Sequence, residues 1–231
     1  MGVKEVVSGL HMITLGPVNA YLIAGDRGLT LIDTGYEKNA ADIEGALRSL
    51  GRQPGDISDI ILTHAHPDHL GSAAHFTRDD LAPRIHPGDA EIARAGIMHQ
   101  TMSPGPGLVN WLVFKLVIDR DDHVEFPAFR PVEDLVDGST LDIGDGIEVI
   151  HTPGHTSGHV SLLWKSDRGV LLVGDAAGNL VGLNYAAGYD DLELGRTSLQ
   201  RLARREFEVA VFGHGRPIVS DASDRFARKF G

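Results

Sequence analysis

Thr63-His64-Ala65-His66-Pro67-Asp68-His69 is the stretch on which the reading of this chain turns. It follows the apolar run Ile60-Ile61-Leu62 and packs three histidines and one aspartate into six residues, in the pattern H-x-H-x-D-H. At this chain's own His and Asp frequencies, chance supplies that pattern on the order of 0.003 times per sequence. In extended chain, residues two apart point the same way, so His64 and His66 can reach one metal ion. Pro67 then turns the chain, and Asp68 and His69 open a short helix expected over 68–76, facing a second ion close by. An acidic side chain in a first helical turn is favourably placed. A buried strand that ends in four such polar groups needs a partner they share.

Three further turns have the same character. Each follows an apolar strand and is flanked by glycine: Thr152-Pro153-Gly154-His155-Thr156-Ser157-Gly158-His159, Gly174-Asp175-Ala176 and Gly213-His214-Gly215. Ligands gathered from several strand ends are what a rigid scaffold with a loop-borne site provides. Around them the punctuation predicts strands at 10–15, 20–24, 29–33, 59–63, 148–151, 160–164, 170–174 and 209–212. Apolar spacing predicts helices over 39–50 and 197–206, with Ile43, Ala46, Leu47 and Leu50 on one face of the first. Hairpin strands interleaved with helices point to an α+β or α/β sandwich with its helices outside.

Composition narrows the chemistry. The chain has 231 residues, 42% of them hydrophobic and 23% charged, which is ordinary for one globular domain and excludes a disordered chain. There is no cysteine, so disulfides, thiolate catalysis and thiolate ligands are excluded. A net charge of −11 repels nucleic acid and anionic membrane, so neither is expected as a partner. The longest apolar stretch, 108–118, is interrupted by Asn110 and Lys115 and falls short of the ~18 residues a membrane span needs. No secretory or myristoylation signal is legible at the N-terminus, which predicts a cytoplasmic protein.

The ordered set His64, His66, Asp68, His69, His155, Asp175 and His214, preceded by Leu31-Ile32-Asp33-Thr34-Gly35, resembles the metallo-β-lactamase superfamily. The resemblance runs from Asp33 to His214 and implies a four-layer αββα sandwich, here a single domain over 1–231. It implies His64, His66 and His155 on one metal, Asp68, His69 and His214 on the other, and Asp175 between them. Asp33 would orient a ligand histidine. It further implies hydrolysis by a hydroxide bridging two divalent ions, zinc being the first choice for these ligands and iron or manganese also compatible. Two such ions, less Asp68, Asp175 and the hydroxide, leave the site near one positive charge, suited to a developing anion. Asp68 is the expected proton donor to the leaving group.

Substrate and partners are read from the remaining residues. His159 is expected to support the site by hydrogen bonding rather than to ligate, and His151 to be structural. His11, His75, His86 and His123 are expected to be ordinary surface or half-buried histidines. The segment 95–131 is too long for a plain connection and carries Leu108, Val109, Trp111, Leu112, Val113 and Phe114, so it is read as a lid or as an interface, with a homodimer as the second case. As a lid it makes His99, Trp111 and Phe114 the pocket candidates. An apolar wall over such a site favours a small ester, lactone or thioester with an apolar acyl part. Glyoxalase II enzymes share all seven ligand positions but carry a helical C-terminal extension, whereas this chain ends soon after His214. Acyl-homoserine lactonases often place a tyrosine three residues past the bridging aspartate, where this chain has Gly178, its nearest tyrosines being Tyr185 and Tyr189. A mononuclear-iron enzyme such as a persulfide dioxygenase, a phosphodiesterase, and a non-catalytic metal-binding module are the alternatives.

Overall fold

The computed structural model describes residues 2–99, 101–119 and 123–231. Four antiparallel strands, β1 (Gly2–Val7), β2 (Leu10–Leu15), β3 (Val18–Gly25) and β4 (Gly28–Ile32), form a meander closed by tight turns. Helix α1 (Ala40–Ser49) then crosses back to β5 (Ile57–Ile61), which pairs in parallel with β4 and completes a five-stranded sheet. The helix expected over 68–76 is two short ones, α2 (Pro67–Leu70) and α3 (Ala73–Phe76). The chain leaves helical geometry at Ser72, φ −100 and ψ 11, just after a glycine that the packing requires. Gly71 is pressed against the 36–37 backbone, and a Cβ there would lie 2.4 Å from the Pro67 carbonyl and 2.6 Å from the Glu37 nitrogen.

Helix α4 (Ala90–Ala95) leads into the irregular segment, built from β6 (Ile97–His99), β7 (Ser103–Pro104), α5 (Leu108–Val113) with a wider π turn over Phe114–Ile118, and β8 (His123–Glu125). The second sheet contains β9 (Thr140–Leu141), β10 (Ile147–His151), β11 (Val160–Trp164) and β12 (Val170–Leu172). Short pairs follow, β13 (Ala177–Gly178) with β14 (Asn184–Tyr185), and β15 (Gly188–Tyr189) with β7. Helix α6 (Leu192–Leu202), strand β16 (Val209–Val211), which adds in parallel to β12, and helix α7 (Ala222–Phe230) end the fold. Among the described residues, no helix is long and apolar enough to cross a membrane.

Alternation along the strands builds the layers. In β3, Tyr21 and Ile23 face the second sheet, meeting Val149, Leu162 and Val211, while Ala20 and Leu22 face Ile43, Ala46 and Leu47 of α1. On the far side Leu171 and Ala210 pack on Leu199 of α6 and Phe226 of α7. The result is an αββα sandwich, as the sequence predicts. The helix expected over 197–206 begins earlier, because the Asp191 carboxylate caps it by accepting from the Leu194 N–H at 3.0 Å. Strands β4 and β5 run parallel, as do β12 and β16, while β10 and β12 both run antiparallel to β11 and so share a direction. The turns leaving these five strands meet, since the side chains they carry converge.

Candidate metal centre

Each of those turns delivers one or more of the side chains singled out in the sequence. His64, His66 and His155 form one group, Asp68, His69 and His214 a second, and His64, His69 and Asp175 a third that links them, with all ligand atoms in a group within 4.8 Å of one another. His66 Nδ1 lies 3.0 Å from both His64 Nε2 and His155 Nε2. Asp175 Oδ2 is 3.1 Å from His214 Nε2 and 3.6 Å from both His69 Nε2 and His155 Nε2. Asp68 Oδ2 is 3.3 Å from His214 Nε2.

The outward-facing ring nitrogens are already committed. His69 Nδ1 donates to Asp33 at 2.9 Å, His155 Nδ1 to the Gly188 carbonyl at 2.8 Å, and His214 Nδ1 to the Pro17 carbonyl at 2.8 Å. His64 Nδ1 lies 3.0 Å from the Thr63 hydroxyl. These bonds leave the Nε2 atoms of His64, His69, His155 and His214 turned inward. Three imidazole nitrogens cannot meet at 3 Å around one shared proton without repulsion, and His69 Nε2 and Asp175 Oδ1 are buried with no hydrogen-bond partner. Converging lone pairs and orphaned buried acceptors are the donor set of a divalent metal ion, and nitrogen with carboxylate suits zinc-type ions. The residues fit the metal.

Asp33 is held in the left-handed region at φ 57, rare for a non-glycine residue. The strain is overdetermined. Its N–H donates to the Ile61 carbonyl, and its carboxylate accepts from the Thr63 N–H at 2.8 Å and from the Thr63 hydroxyl as well as from His69. His159 turns away from the ligand cluster. Its Nε2 accepts the Asp175 N–H at 2.9 Å and its Nδ1 meets the Thr152 hydroxyl at 2.8 Å, so it fixes the backbone of Asp175.

Burial pushes the pKa of His64, His66, His155 and His159 down, His66 to about 3, so these rings are neutral. At His69 and His214 burial also lowers, but the Asp175 and Asp68 carboxylates outweigh it and push both up, His69 to about 10. The carboxyls of Asp68 and Asp175, although buried, are held below the usual range by His69 and His214. In the metal-free chain the signs therefore differ. The depressed histidines cost stability as pH falls below about 6.5, where the unfolded chain takes up their protons; His69 and His214 contribute fully there, His69 losing its contribution as pH rises through about 10 and His214 likewise as pH rises through its own raised pKa.

A cavity of about 470 Å³ opens above the cluster. His66, Asp68, His155, Asp175 and His214 form its floor, and Val109, Val113 and Val117 from α5 and its π turn, Met98, Met102, Val124, Leu180 and Val181 line its walls. The segment 95–131 supplies part of these walls, with Val109 and Val113 from the expected apolar stretch joined by Val117, but the three named pocket candidates are not part of them. The valines are four apart and share a face, whereas Trp111 lies off it and is 46% exposed. Phe114 is buried behind the wall, near Gly188. His99 sits exposed on β6, paired with His123 of β8, its ring 6.2 Å from that of His123. None of these three borders the cavity. Tyr36 and Tyr185, not singled out as pocket residues in the sequence, do.

The chain belongs to the metallo-beta-lactamase superfamily: the family's sequence model matches residues 13–214. It is 29% identical over 217 residues to the beta-lactamase-like protein 2 homolog of Caenorhabditis elegans, covering 92% of this chain but only 60% of that longer relative. It is 25% identical over 229 residues to an N-acyl homoserine lactonase of Bacillus thuringiensis, covering 86% of this chain and 81% of the relative. Among solved structures, a metallo-beta-lactamase family protein from Thermus thermophilus superposes with a TM-score of 0.71 at 28% identity, covering 97% of this chain and 79% of that one.

Proposed function

We propose that this protein is a dinuclear metallo-hydrolase that opens an ester, lactone or thioester carrying an apolar acyl group. The observation that carries the reading is the apolar cavity set directly on the seven-residue donor cluster. His64, His66 and His155 would hold one divalent ion, Asp68, His69 and His214 the other, with Asp175 shared and zinc the preferred metal. Such ions supply Lewis acidity and acidify a water molecule. Val109, Val113 and Val117 hold the acyl part and exclude bulk water from the floor. Burial and the Asp68 carboxylate push the Tyr36 phenol pKa up, so it keeps its proton and lines the cavity as a hydrogen-bond donor for the substrate. Asp68, ionised beside His214, is placed to accept the proton released by the attacking water and to pass it to the departing oxygen or sulfur. Among the described residues no lysine or arginine lines the cavity, which disfavours a phosphodiester. The likeness to an N-acyl homoserine lactonase supports a lactone or acyl substrate.

The test is a panel of aliphatic esters, lactones, thioesters, β-lactams and phosphodiesters, assayed at known metal content. The expected result is turnover of an acyl substrate that rises with acyl length, and loss of the longer acyl chains, about tenfold in kcat/KM, in Val113→Trp. Turnover confined to phosphodiesters or β-lactams contradicts the reading. Protons compete with metal for the ligand imidazoles, so bound metal and activity should fall together below about pH 6. Full metal retention at about pH 4.5, measured after gel filtration, contradicts the site.

A further inference from the structure

We propose that Asp89 is a positioning residue for the His64–His66–His155 set, tying the two loops that carry those histidines and setting a negative charge behind them. The inference rests on the metal reading above. Asp89 is fully buried at the start of α4, an N-cap position from which an aspartate ordinarily bonds its own helix. Here it makes no such bond. Its Oδ2 accepts from the Ala65 N–H at 2.8 Å and from the Thr156 hydroxyl at 2.7 Å, and its Oδ1 accepts from the Gly158 N–H at 2.7 Å. Ala65 lies between His64 and His66, and Thr156 follows His155, so one carboxylate spans both ligand loops. The fit is close: a Cβ on Gly158 would lie 2.6 Å from Asp89 Oδ1.

Charge adds a second line. Burial pushes the Asp89 carboxyl up, and only its three hydrogen bonds and nearby His155 pull it back. Among the described residues it has no lysine or arginine partner, and a buried carboxylate without a countercharge is costly. Residues that orient ligand loops typically alter metal affinity by about 10–100-fold.

The experiment titrates metal-free protein with zinc against a competing chelator, with far-UV circular dichroism of each metal-free variant alongside. His155→Ala identifies which binding equivalent belongs to the three-histidine set. Asp89→Asn is expected to weaken that equivalent about 10–100-fold and the other less than about threefold. Thr156→Val, which keeps the carboxylate and one fewer hydrogen bond, is expected to weaken the same equivalent by a smaller factor. Equal weakening of both equivalents, or no change at either, overturns the proposal. If Asp89→Asn does not fold, Thr156→Val decides it, and an unchanged three-histidine equivalent overturns it. A wild-type chain that binds no zinc overturns the metal reading, and this proposal with it.

Discussion

Asp175→Ala is expected to lower kcat/KM by on the order of 10³-fold or more while the fold persists. Asp175 Oδ2 stands within 3.6 Å of His69, His155 and His214 Nε2, which makes it the one side chain common to both halves of the cluster. Its removal takes away the negative charge on which His69 and His214 depend, and leaves the lone pairs of both sets without their shared carboxylate. The backbone at 175 keeps its bond to His159, so the turn stays in place. Steady-state kinetics with circular dichroism checks this, and activity within about tenfold of wild type in a folded variant speaks against Asp175 as the shared ligand. A binding module without catalysis would lose no turnover at all.

Phe226→Ala should have the largest effect on stability. Phe226 is fully buried under the second sheet, its ring 5.3 Å from Phe207, 5.5 Å from Phe230 and 6.3 Å from Phe212. Truncating such a ring costs about 3–5 kcal/mol, because the transfer term and the residual cavity add. In a chain of this size that lowers Tm by roughly 6–20 °C. Thermal unfolding followed by circular dichroism measures the loss. A Tm drop under about 2 °C would mean that this layer repacks freely.

How much of this was open to inspection in the sequence follows from which interactions are local. H-x-H-x-D-H declares itself, because the strand, the turn and the ligands adjoin. His155, Asp175 and His214 are legible as polar residues on glycine turns after apolar strands, and the resemblance orders them. Strand β1 goes unread because it lies at the edge of its sheet with no fully buried residue: Val3, Val6 and Val7 are only partly buried against the core, and its alternation is weak. The wall segment is read correctly, but the individual pocket candidates within it are misplaced for a geometric reason. Periodicity marks 108–118 as apolar on several faces, and only the way the segment lies over the cluster selects Val109, Val113 and Val117 over Trp111. Asp89 is hidden by distance along the chain: it is 24 residues from Ala65 and 67 from Thr156, and an isolated aspartate after Pro87-Gly88 reads as a surface turn. Tyr36 carries no sequence signal beyond its place after the Asp33 turn.

Metal content, measured by elemental mass spectrometry on protein purified without added metal and again after zinc titration, tests the central claim most directly. Two ions per chain are expected at saturation, with one equivalent lost in His155→Ala and the other in His214→Ala. Saturation at zero or one ion, or two ions that survive both substitutions, would contradict it.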